Sequence, residues 1–111
     1  MQDEEEFYIT VPPEFRAEAA ASVEIMHAVL KERGQTADDE IRLVEPHGKG
    51  FEPITTTAAL YIGSVAGSVL VGFGRKWFEQ YLEPEILRRL GKPSERFASW
   101  LCDQMGLPKD D

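Results

Sequence analysis

Residues Ile54–Gly74 read ITTTAALYIGSVAGSVLVGFG, a stretch without a single charge that is closed by Arg75 and Lys76. How it folds decides the architecture, because apolar surface of this extent gains by leaving water for protein or lipid. The expectation is a helix over Ala58–Gly74. On a helix its small residues form two neighbouring rows at four-residue spacing, Ala59-Gly63-Gly67 and Ser64-Ser68-Gly72. Such a face carries almost no side chains and lets a second backbone approach closely. Leu60, Ile62, Val65, Val69, Leu70 and Val71 fill the remaining surface. Each glycine inside a helix costs roughly 1 kcal/mol relative to alanine, so tight packing has to offset the loss. Two other arrangements compete. The stretch is long enough to span a bilayer, for which about 20 residues suffice. Yet the basic residues Arg75, Lys76, Arg88, Arg89 and Lys92 follow it, and the positive-inside rule would then send the acidic amino-terminal half across the membrane. A strand pair, Tyr61–Val65 and Val69–Phe73 joined through Ala66-Gly67-Ser68, fits the β-branched content. A buried helix in a small domain is favoured over both.

Upstream, Phe7-Tyr8-Ile9-Thr10-Val11 alternates as a short strand, and Pro12-Pro13 stops it. From Glu14 to Arg33, Phe15, Ala19, Val23, Met26 and Leu30 recur at helical steps, and Gly34 punctuates the end. Ile41-Arg42-Leu43-Val44 reads as a second strand before Glu45-Pro46. Strand, helix and strand make one βαβ unit. Two strands alone are a poor sheet, so either a further strand or a partner's strand is missing from this count. Downstream, Trp77–Leu90 is an amphipathic segment that Pro84 kinks or splits, and Ser94 caps a last helix through Phe97, Trp100, Leu101 and Met105. The expected fold is therefore a small α/β (α+β) domain. A βαβ unit packs on the Gly/Ser-rich apolar helix, and two shorter amphipathic helices follow. Residues 1–6 form an acidic frayed end, 7–107 the single domain, and 108–111 a tail.

With 111 residues, of which 42% are apolar, the chain can bury one core. Residues 1–53 hold thirteen Asp/Glu against five Lys/Arg, whereas 54–111 hold seven of each. The acidic half repels phosphates, which argues against nucleic acid and suits a basic partner. A lone cysteine, Cys102, forms no intrachain disulfide. The start MQDEEEF has no leader character, so a cytoplasmic location is expected, with membrane association through residues 54–74 as the alternative.

Candidate chemistry is thin. Glu24 and His27 have the E-x-x-H spacing of carboxylate-bridged metal sites, but no second such pair occurs. His47-Gly48-Lys49-Gly50 lacks the spacing of a phosphate loop and reads as a turn. Cys102 sits late in a short helix, away from the positive end that activates a thiol. Arg75-Lys76 and Arg88-Arg89 read as solvated or helix-end charges. No cofactor and no catalytic set is expected.

The segments FYITV, EIRLVEP and AALYIGSVAGSVLVGFG, within residues 7–74, make the chain similar to the small effector-associated domains of bacterial conflict systems. That resemblance implies a defence-system module as one home for the protein. The expected function is non-enzymatic protein–protein assembly, with self or with a protein partner. It would act through Ala59, Gly63, Ser64, Gly67, Ser68 and Gly72, anchored by Trp77, Phe78 and Trp100.

Overall fold

The structure is a computed structural model that describes residues 6–35, 39–44 and 58–108. It is an α+β domain, and its centre is a strand where a helix was expected. Strand β1 (Phe7–Val11), helix α1 (Arg16–Glu32) and strand β2 (Ile41–Val44) lie where local patterning put them. The uncharged stretch, however, divides at Gly63 into strand β3 (Ala58–Ile62) and helix α2 (Ser64–Phe73). The sheet order is β1-β3-β2, with β3 antiparallel to both neighbours. The outer strands thus run parallel to each other, and β3 fills the gap that the α1 crossover leaves between them. It is the missing strand.

The alternation along β3 explains the correction. Ala58, Leu60 and Ile62 are buried, while Ala59 and Tyr61 are half-buried on the other face. Period-two burial is what a sheet requires, and the β-branched and aromatic residues favour it. Ile62 lies opposite both Phe7 and Ile41, so a single residue knits the three strands.

Helix α1 opens on a 3-10 turn, Pro13–Phe15, whose first residue, a proline, pre-sets the backbone for a helix start. It closes on Gly34, which adopts φ +79° while Gln35 N–H donates to the Leu30 carbonyl at 3.0 Å and Gly34 N–H to the Lys31 carbonyl at 3.0 Å. This pairing satisfies carbonyls that the helix end would otherwise orphan. Downstream of α2, helix α3 (Arg75–Trp77) runs into a π-helical turn, Phe78–Leu82, and then into α4 (Glu83–Leu90). The wider turn has a cause: Pro84 has no N–H to offer Gln80 and would clash with its carbonyl, so the preceding turn opens. Helix α5 (Glu95–Gln104) completes the domain. Ile9, Val11, Ile25, Leu60, Phe78 and Phe97, with their neighbours, form one core.

No helix among the described residues is long and apolar enough to cross a membrane. At ten residues, α2 is about 15 Å long, half the hydrocarbon thickness. Spanning by 54–74 is therefore withdrawn. The His47–Gly50 loop lies outside the described residues.

Candidate interaction surface

Helix α2 begins where Gly63 leaves the sheet. The Glu40 carboxylate, at the head of β2, accepts the Ala66 N–H at 2.9 Å, and the Glu40 carbonyl accepts the Gly63 N–H at 2.7 Å. The helix is thus capped by a residue from another element, which holds a negative charge at its positive end. Its inner side, Ala66, Gly67 and Leu70, is buried.

The outer side is unusual. Val65, Ser68 and Gly72 are exposed, with Val65 at 49%, and Ser64, Val69, Val71 and Phe73 flank them half-buried. A surface helix normally sets charge against water, and α2 has none on any side. A methyl group built on Gly72 would meet nothing within 4 Å, so this glycine does not serve the domain's own packing. An aromatic ladder extends the surface: Phe73 and Trp77 have ring centroids 5.2 Å apart, and Trp77 and Tyr81 are 5.4 Å apart. Arg33 covers one end, its guanidinium 5.3 Å from the Phe73 ring.

The two small-residue rows therefore part company. Ser64, Ser68 and Gly72 share the accessible face, whereas Ala59 belongs to β3, Gly63 to the helix cap, and Gly67 is buried. Of the expected anchors, Trp77 borders the surface and Phe78 is fully buried beneath it. Trp100 is remote in the fold, half-buried against Phe15 at 5.0 Å and Phe97 at 5.7 Å. Val65, Phe73 and Tyr81 were missed as surface residues, although Val65, Val69, Phe73, Trp77 and Tyr81 recur at four-residue steps.

The residues with chemical potential are occupied elsewhere. His27 Nε2 donates to the Ile41 carbonyl at 2.7 Å, tying α1 to β2, and Glu24 pairs with Arg89 at 3.2 Å. The E-x-x-H pair is divided between these two tasks. Cys102 is buried, and loss of water pushes its thiol up to about 11, against the opposing pull of Arg75. No group of three or more His, Cys, Asp or Glu suited to a metal occurs among the described residues. Arg75 is not the solvated charge expected from its place beside Lys76. It is buried, donating to the Leu107 carbonyl at 3.1 Å and facing Glu79 at 3.4 Å and Asp103 at 3.5 Å.

No family model matches the chain, and no curated protein or solved structure is significantly similar to it.

Proposed function

We propose that the protein is a non-enzymatic assembly module that pairs with a second copy of itself through the outer face of α2. The observation that carries this reading is a helix without charge whose exposed side consists of Val65, Ser68 and Gly72. Two such faces can bring their backbones close together, since nothing larger than valine separates them, and close approach maximises dispersion contact. The Phe73–Trp77–Tyr81 ladder gives the border rigid aromatic anchors. An isologous pair would place the same patch on both partners. The engaged state of His27 and the raised thiol of Cys102 support a role without catalysis. The acidic excess supports a protein partner over nucleic acid.

Gly72→Arg and Ser68→Arg test the proposal by sedimentation velocity. Both positions are exposed, so each variant should keep the wild-type circular dichroism spectrum while the dimer becomes a monomer, with the melting temperature falling only by the part that dimerisation contributes. A wild-type chain that stays monomeric over the accessible concentration range would overturn it, as would a dimer indifferent to both substitutions.

A further inference from the structure

A second feature lies away from α2, where the start of α1 meets the turn before α5. Phe15, Glu18, Lys92, Ser94 and Phe97 line a cavity of about 280 Å³ there. Glu18 is one of few buried charged residues, with its side chain 7% exposed. A carboxylate withdrawn from water needs partners for both oxygens. Glu18 Oε1 has no hydrogen-bond partner, and the Lys92 ammonium stands 3.6 Å from Oε2, beyond direct hydrogen-bond reach. Lys92 itself is 53% exposed and reaches the carboxylate from the solvent side. Ser94, at the head of α5, is buried, yet its hydroxyl does not cap the helix and makes only a 3.5 Å contact with the Lys92 carbonyl.

The lining of the cavity thus includes a buried acceptor without a donor. A primary ammonium carries N–H donors and a positive charge, which together suit such an oxygen. The lining charges favour a cation, since Glu14 and Glu95 balance Lys92 and Arg96 and leave Glu18 in excess. Phe15 and Phe97 supply apolar wall for a short hydrocarbon chain. We propose that this cavity binds a primary ammonium on a short alkyl chain, and that Lys92 is the tethered group such a ligand displaces. The source is either a free amine or a lysine side chain of another protein, since both present the same head group.

Lys92→Ala removes the competitor from an exposed position without touching the carboxylate. In an NMR titration, n-butylammonium chloride should shift amides around Glu18 and Ser94 in this variant, about tenfold more tightly than in the wild type. It should also raise the variant's melting temperature. Tetramethylammonium, which has charge but no N–H donor, should do neither. An acetylated, amidated Gly-Lys-Gly peptide that reproduces the response identifies a lysine side chain as a ligand, and a response to the amine alone identifies a free amine. The proposal is overturned if Lys92→Ala does not respond to n-butylammonium, or responds equally to tetramethylammonium. It is also overturned if the response persists when Glu18→Gln is added. Because the two ammonium ions are compared in one folded variant, the result does not depend on Glu18→Gln folding.

Discussion

The Glu40 carboxylate occupies the space that a side chain at Gly63 would need. A Cβ at residue 63 would lie 2.6 Å from Glu40 Oε1, the oxygen that accepts the Ala66 N–H at 2.9 Å. Gly63 has φ −73° and ψ 175°, a conformation open to any residue, so glycine is required here for room and not for backbone freedom. The pair joins β2 to the start of α2 and sets the angle at which the chain leaves the sheet.

Gly63→Ala should accordingly push the carboxylate off the helix end and cost about 1 kcal/mol, the value of a lost cap. Glu40→Ala should cost a similar amount by the same route. Because both remove one interaction, the double variant should be only slightly worse than either single variant. Urea unfolding of the four proteins measures the coupling, and strictly additive losses would show that the two residues act independently.

That relationship also explains what the sequence could and could not reveal. β1, α1 and β2 announce themselves locally, by alternation in FYITV, by helical spacing from Phe15 to Leu30, and by Gly34 as a stop. β3 does not. The four-residue spacing of Ala59, Gly63 and Gly67 imitates a helix face across what is a strand, a turn and a helix. The need for a third strand was legible, since two strands make a poor sheet, but its place was hidden. The signal that ends β3 at Gly63 comes from Glu40, on a different element. The surface row Ser64-Ser68-Gly72 was readable because it lies wholly inside α2. Arg75 was misread because its partners, Leu107 and Asp103, meet it only in the folded chain.

Arg75 leads to a second prediction. Its guanidinium holds the turn after α5, where Gly106 takes φ +71° and Leu107 N–H bonds back to the Cys102 carbonyl at 3.0 Å. Arg75→Met keeps the stem but leaves the Leu107 carbonyl without this donor. The loss should be about 2–3 kcal/mol, since a hydrogen bond from a charged group is involved. Being buried, the contact should be insensitive to salt. Arg88→Ala breaks an exposed pair with Glu85 and should cost less than about 1 kcal/mol. Equal losses for the two variants in chemical denaturation would contradict the clamp.

His27 offers a third. Its Nε2–H reaches the Ile41 carbonyl, and Ile41 is paired through the sheet with Ile62, so the bond ties α1 to the sheet edge. His27→Gln can present an N–H near the same point and should be close to neutral. His27→Ala should lose about 1 kcal/mol, the net worth of one hydrogen bond. Thermal melts of the two variants separate this bond from mere packing, because packing alone would not favour glutamine over alanine by that margin.

The buried thiol makes stability depend on alkaline pH in a defined direction. In the unfolded chain the Cys102 thiol ionises near 9, whereas in the fold burial keeps it protonated to about 11, with Arg75 pulling it down and Glu79 and Asp103 pushing it up. Above pH 9 the unfolded state therefore holds fewer protons than the native state, and stability falls as pH rises. The contribution is intact below about pH 9 and lost once pH passes about 11, a change of roughly 2–3 kcal/mol across that window. Other groups also titrate there, so the comparison is with Cys102→Ala. The variant should start lower, because it leaves a cavity in the core, but decline less steeply between pH 9 and 11. In parallel, a thiol reagent at neutral pH should label wild-type Cys102 only at the rate of opening, with full labelling in denaturant. Prompt labelling of the native protein, or identical alkaline slopes for the two chains, would show that residue 102 is not held dry in the core.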